Sequence, residues 1–281
     1  MTISLHTGTH TATVSSEWTV WDTRCRLVVT DPWAMHKARH LLEEQLTIID
    51  RVAHPKAAGA GRRRRGGPVG GDRFAELLGR TSRPRAYPYG LVPAPEGVDV
   101  HQPAPEPWQL VLDAAARGRE ALLLERGASL RAWTAQLCAE LVAEVMSCGV
   151  LVAFGSDVAT SGLAPVGGWR IEIQDAPDAS STVVAVDGGG ISRLSTVRVG
   201  QQRGRSPLRP VVVPATGRTV PPAWRSVSVA AADAPAASAA CAGAMLRGPA
   251  APGWLAELGL PALLVDTAGA AHCVGRWPVP A

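Results

Sequence analysis

Apolar positions along this chain follow two rhythms, and together they divide it into elements. After Asp31-Pro32, residues Ala38, Leu42, Leu46 and Ile49 recur every three or four positions, the spacing that lines one face of an α-helix. Asp caps the free N–H groups of a first turn and Pro suits its first position, so a helix opens there. A second helix is expected after Ser129 as cap, with Leu130, Trp133, Leu137, Leu141 and Val145 as its apolar stripe and Gly149 as its end. A third is expected over 235–246 behind Asp233, where Ala236, Ala239, Ala240 and Ala244 are small enough for close backbone packing. The other rhythm is that of short apolar runs ended by turn residues: 18–30, WQLVLD, EALLLERG, VLVAF, WRIEIQD, STVVAVD, RLSTVRVG, RPVVV and RSVSVA. Coming in quick succession, these predict mostly antiparallel sheet. A short helical turn over 254–258 and a closing hairpin around Thr267-Ala268-Gly269 complete the pattern.

Length and apolar content allow one large domain or two intimate subdomains, and the α+β patterning divides 1–281 into three parts. Residues 17–53 give an N-terminal strand and helix, and 108–281 give the main core. Between them, 54–107 read as a Gly/Arg- and Pro-rich connector: AAGAGRRRRGGPVGG lacks any periodicity, a short helix is expected near 74–78, and 84–107 hold seven prolines. The block Arg62 to Arg65 offers a site for phosphate or an acidic partner, with a solvated loop as the simpler account. No internal repeat is evident.

Charge changes this picture little. The sequence pI is about 9.0, yet Lys37 and Lys56 are the only lysines, and the abundance of Arg, Ala, Gly and Pro points to the coding bias of a high-GC bacterium. No stripe of basic residues interleaved with aromatics appears, so nucleic acid is not an expected partner. The first 24 residues contain no apolar leader segment, and no run approaches a membrane span, which predicts a cytoplasmic protein with no membrane partner. Cys25, Cys138, Cys148, Cys241 and Cys273 are odd in number and widely spaced, without C-x-x-C, and read as small core residues. His36 and His40 share a helix face and have the spacing of a metal pair. They carry no evident carboxylate or cysteine partner, and a solvated face explains them more simply.

The candidate chemistry centres on VVVPATGR, 211–218, where Pro214 and Gly217 predict a strand turning sharply at PATG. This segment resembles the H-x-x-D-P-x-T-G signature of the FAD:protein FMN transferase (ApbE) family, with Pro210 at the histidine position, Val213 at the aspartate, and Pro214, Thr216 and Gly217 retained. Further segments are similar to that family in order and spacing. Phe154-Gly155-Ser156-Asp157 stands on its L-G-G-D turn, GGWRIEI on its G-G-W strand, and TVVAVDGG on the strand that usually ends in T-S-G. LERGASLRAWTAQ resembles its L-D-L-G-x-x-A-K segment, with Arg131 at the lysine, Glu125 at the first Asp and Gln136 at the later one. The chain is thereby identified as a degenerate member, with an ApbE-like fold of antiparallel sheets packed against a few helices.

The resemblance implies an ancestral reaction in which FMN passes from FAD, with magnesium, to a threonine of a partner flavoprotein. That chemistry needs a proton acceptor, oxygen ligands for a hard cation and neutralisation of phosphoryl charge. The family's metal-binding Asp and Thr fall on Ser238 and Ala242, so a bound magnesium is not expected and no catalytic residue is assigned. FAD or FMN remains the expected cofactor, with Arg131, Asp157, Asp187, Thr216 and Gly217 as candidate contacts. Asp187 replaces a family serine beside a glycine run that lets a ligand approach the backbone or simply forms a flexible hairpin. For Asp157 the alternatives are a ligand and a backbone hydrogen bond within its own turn. The expected function is a non-transferase relative that binds flavin, nucleotide or a flavoprotein or pathway partner. Active FMN transfer and a repurposed enzyme of specialised metabolism are the alternatives.

Overall fold

The computed structural model describes residues 3–6, 13–21, 23–53, 128–175, 181–197, 211–212 and 219–278. The connector at 54–107, the runs WQLVLD and EALLLERG, and Pro210, Val213, Thr216 and Gly217 lie outside the described residues. The run at 18–30 is a hairpin: β2 (Val14–Val20) and β3 (Thr23–Val29) pair from Val14–Val29 to Val20–Thr23. A single strand was expected because no Gly or Pro marks the turn. Trp21 takes the left-handed conformation there, with φ +49°.

Asp31 then does what its position predicts, accepting from the Trp33 N–H (2.9 Å) and opening a 3-10 turn, Pro32–Ala34, that runs into α1 (Met35–Ala53). Ala38, Leu42, Leu46 and Ile49 are all buried. Helix α2 spans Ala128–Met146, so Ser129 lies inside it, and Ser147 at φ +51° makes the left-handed exit assigned above to Gly149. Its core face is also not the one the periodicity picked out. Leu130, Trp133, Leu137 and Leu141 are only half-buried and Val145 is exposed, whereas Ala132, Ala135, Cys138, Ala139 and Val142 are fully buried. A helix apolar on nearly every side packs its smallest residues where neighbouring backbones come closest.

The strands β4 (Val150–Phe154), β5 (Asp157–Ser161), β8 (Gly189–Ser195), β11 (Trp224–Ala231), β12 (Ala262–Asp266) and β13 (Ala271–Val274) join β2 and β3 in one eight-stranded sheet. Its order is β13-β12-β11-β8-β5-β4-β3-β2, and every pair is antiparallel. A second sheet, of order β1-β6-β7, is formed by β1 (Ile3–His6), β6 (Trp169–Gln174) and β7 (Ser181–Val186). A two-stranded ribbon pairs β9 (Val211–Val212) with β10 (Thr219–Val220), the two flanks of PATG. Helix α3 (Ala234–Arg247) and the short α4 (Ala251–Glu257) follow β11.

These elements make three layers. Residues such as Leu27, Val150, Val152 and Phe154 on one face of the large sheet meet α1 and α2, and Val227, Val229 and Leu264 meet α3 and α4. The opposite face, through Val28, Leu151, Val158 and Ile191, meets Ile171, Ile173 and Val184 of the small sheet. Each fully buried Leu, Ile or Val contributes roughly 1.5–3 kcal/mol. Four of the five cysteines are buried as expected. Cys273 is exposed, because β13 is an edge strand.

Candidate functional site

The β4–β5 connection places the first candidate residues. Gly155 at φ +60° makes the two-residue turn between Phe154 and Asp157, and its N–H donates to Arg24 O of β3 (2.9 Å). Beside it, Trp21 stacks on Phe154 with ring centroids 6.1 Å apart, and Thr23 Oγ1 accepts from Arg131 Nη1 at 3.3 Å. The start of α2 and the turn of the proposed L-G-G-D equivalent therefore meet at the β2–β3 hairpin, so Arg131 and the Phe154–Asp157 turn share one corner of the sheet.

Asp157 itself is buried. It is 2 % exposed and accepts from Ser192 Oγ (2.6 Å), its cross-strand partner on β8. Cys241 of α3 lies over the same strand and donates its S–H to Ser192 O (3.2 Å). Burial first, and the nearby Asp157 charge second, push the Cys241 thiol up, which makes it an inert core residue. Ser156 Oγ, one residue earlier, donates to Arg193 O (2.8 Å) and fixes the turn to β8.

Asp187 is exposed at the β7–β8 turn, towards the opposite end of β5, where Thr160 pairs with Gly189. Asp157 and Asp187 are not brought together. Two glycines of the run beside Asp187 belong to a strand, since β8 begins at Gly189. A Cβ at Gly189 would lie 2.4 Å from Ala231 O, and one at Gly190 would lie 2.2 Å from Ala234 N. The backbone that comes close at these glycines is the chain's own, at the end of β11 and the start of α3.

That helix start is closed. Asp233 is its N-cap, accepting from Ala236 N (2.7 Å), and Gln136 Oε1 of α2 accepts from Ala234 N (3.1 Å), while Pro235 has no N–H. Burial raises the Asp233 carboxyl above the ordinary value and Glu140 adds to this, against the Ala236 N–H that lowers it. Ser238 follows on the buried side of α3 at 6 % exposure, and Ala242, half-buried, one turn later. A neutral hydroxyl and a methyl do not fit a hard dication, which takes carboxylate and carbonyl oxygens.

His36 and His40 are exposed on α1, with His40 Nδ1 at 3.9 Å from Glu44 Oε1, a carboxylate neighbour missed when the two histidines were read by themselves. Among the described residues no group of three or more His, Cys, Asp or Glu is placed to hold a metal. Sequence reasoning also missed a buried charge cluster on the small-sheet side. Asp175, after β6, binds Arg193 Nη2, accepts from Ser226 Oγ (2.5 Å) and pairs with Arg225 Nε (3.0 Å), and Arg193 Nη1 donates to Gln174 O (2.6 Å). Burial lowers the Arg193 pKa and Asp175 opposes that shift. No motif marks these residues, since they come from three strands far apart in the chain.

Comparison with solved structures finds the same fold in proteins described as flavin transferases. The flavinyl transferase ApbE of Pseudomonas stutzeri, in its apo form, superposes with a TM-score of 0.59 at 14% identity, covering 94% of either chain. The flavin transferase ApbE of Vibrio cholerae gives 0.54 at 14% identity, with 94% of this chain and 97% of that one covered. The ApbE protein of Thermotoga maritima gives 0.55 at the same identity and coverage. The fold is thus α+β and ApbE-like, with antiparallel sheets. No curated protein matches the sequence. The ApbE family profile matches residues 74–264, more than half of the sequence, and the chain belongs to the ApbE family.

Proposed function

We propose that the chain binds a flavin nucleotide, FAD or FMN, without carrying out magnesium-dependent transfer of FMN to a partner flavoprotein. The observation that carries this reading is the pair of side chains at the family's metal positions on α3. Ser238 is buried against the sheet and supplies a neutral hydroxyl, and Ala242 supplies none. The sequence adds Pro210 and Val213 in place of the motif's His and Asp. Loss of a positioned base by itself forfeits about 10²–10⁴ in rate. The closed start of α3, with Ala234 and Ala236 N–H groups already used, offers phosphate no free donors from those two residues. Arg131 keeps a cation at the family's lysine position, beside the Phe154–Asp157 turn, and is the residue assigned to flavin phosphate.

Titration of FAD and FMN fluorescence tests binding, and incubation with FAD, magnesium and a threonine-bearing acceptor flavoprotein tests transfer. Saturable binding without AMP release is the expected outcome. Metal-dependent AMP release with labelled acceptor would overturn the reading, and so would the absence of any flavin binding. Restoring the motif with Pro210→His, Val213→Asp, Ser238→Asp and Ala242→Thr is expected to create magnesium affinity, and no gain in affinity would show that the four positions do not form one site.

A further inference from the structure

At the end of the sheet opposite the Gly155 turn, three large apolar side chains stand in solvent: Trp33 is 94 % exposed, Leu163 84 % and Val166 87 %. Their loops converge on Gly149. Thr30 N donates to Gly149 O (2.9 Å), Gly149 N donates to Thr30 Oγ1 (2.8 Å), and a Cβ at Gly149 would lie 1.9 Å from Leu163 O. Trp33 follows Thr30 on the 3-10 turn, and Val166 sits in the Pro165–Gly168 turn closed by Gly168 N to Pro165 O (2.8 Å). Exposure of a Trp, a Leu and a Val at neighbouring tips is a standing hydrophobic cost unless something covers them.

The tips are uncharged. Residues 161–169, SGLAPVGGW, and 32–35, PWAM, hold no ionisable side chain, so their entry into a low-dielectric phase strips no charge of water. A cation comes next: Lys37 is exposed four residues after Trp33, with His36 beside it, on the side of the helix that carries Trp33. Two carboxylates are near. Asp31 is occupied as the cap of Trp33 N, and Asp187 is exposed beside Gly168, outside both tips. Apolar tips on separate loops with a cation set back behind them suit a fluid phase that closes around each side chain. Trp is favoured at the junction of acyl chains and headgroups.

We infer that this end of the molecule docks on an anionic lipid bilayer, with Trp33, Leu163 and Val166 entering the interface and Lys37 meeting the phosphate layer. Neither an apolar leader nor a spanning segment, whose lack led to the expectation of no membrane partner, is needed for such docking. Among the described residues no helix is long and apolar enough to cross a membrane, and surface docking requires none.

Co-sedimentation of the full chain with vesicles of mixed phosphatidylglycerol and phosphatidylcholine tests this. Wild-type protein is expected in the pellet, with partitioning reduced about tenfold or more by combined Trp33→Ser, Leu163→Ser and Val166→Ser. Lys37→Glu is expected to weaken binding to the phosphatidylglycerol vesicles and leave binding to pure phosphatidylcholine unchanged. Because the substituted side chains are almost wholly exposed, melting temperature should be little altered. Brominated acyl chains should quench fluorescence more in wild-type protein than in Trp33→Leu. Absence of wild-type sedimentation, or equal sedimentation of the triple variant, overturns the inference. So does a wild-type dimer in ultracentrifugation that ignores vesicles and that the triple variant splits, since the face is then a contact between two copies of the chain.

Discussion

Asp233 shows how one side chain serves opposed demands at the start of α3. As N-cap it satisfies Ala236 N, while its burial disfavours the ionised form and lifts its pKa above the ordinary value of 3.8. Asp233→Ala should cost about 1 kcal/mol, the usual loss of a cap. Asp233→Asn keeps an acceptor and removes the buried charge, so it should melt at or above the wild-type temperature near pH 7. The sign follows from linkage. A carboxyl whose folded pKa is raised destabilises the fold above that pKa, and the penalty fades as pH falls through the raised value towards 3.8. The advantage of Asn over Asp should therefore shrink on acidification, and calorimetry of both proteins from pH 7 to pH 4 checks this. A gap that widened would reverse the assignment. Both caps, Asp31 and Asp233, were legible in the sequence because capping joins residues two or three apart. Asp157 was not, since its partner Ser192 lies 35 residues away and is found only once β5 and β8 pair.

At the scale of elements, the seating of α3 on β8 depends on one missing Cβ. An alanine methyl at position 190 would overlap Ala234 N at 2.2 Å and Ala234 Cα at 2.4 Å, both backbone atoms that no rotamer change can move. Gly190→Ala should destabilise by about 1–3 kcal/mol or more through the forced shift of the helix start, which also carries the Gln136 and Asp233 caps. Gly188→Ala is the internal control. A Cβ there enters open space and the backbone is not left-handed, so the change should be neutral or slightly stabilising. Urea denaturation of the two variants decides the matter, and equal midpoints would remove the packing role given to Gly190. Composition hid this, because three consecutive glycines read as a turn whether they bend the chain or admit a helix. The helices themselves were legible from periodicity, and α1 was read correctly down to its buried face. In α2 apolar residues occupy nearly every side, so the pattern located the helix and misplaced its core face, which only the flanking sheet, α1 and α3 define.

For the whole molecule, the small sheet is the layer least visible in sequence. Strand β1 pairs with β6 across more than 160 residues, Ile3 with Ile173 and His6 with Arg170, and no local pattern specifies such a partner. Apart from apolar packing, the layers are joined by Asp175, which reaches from the end of β6 to Arg193 on β8 and to Arg225 and Ser226 on β11. The side chain of Arg193 is 2 % exposed and that of Asp175 11 %, so neither charge is well solvated without the other. Asp175→Ala would leave the Arg193 guanidinium buried and unpaired, a change that typically costs about 3–5 kcal/mol. The loss should be larger than that from Ser226→Ala, which removes one hydrogen bond worth about 1 kcal/mol and leaves both charges paired. Replacing both partners, Asp175→Leu with Arg193→Met, should recover much of the stability lost in Asp175→Ala, because the cost arises from an orphaned charge and not from a missing attraction. Urea unfolding of the three variants beside wild type tests the cluster as a unit. If the double replacement proved as unstable as Asp175→Ala, the charges would have to be credited with holding the two sheets together by attraction. If Asp175→Ala unfolded at the wild-type midpoint, apolar packing between Leu151, Ile171 and Ile191 would suffice to join the layers.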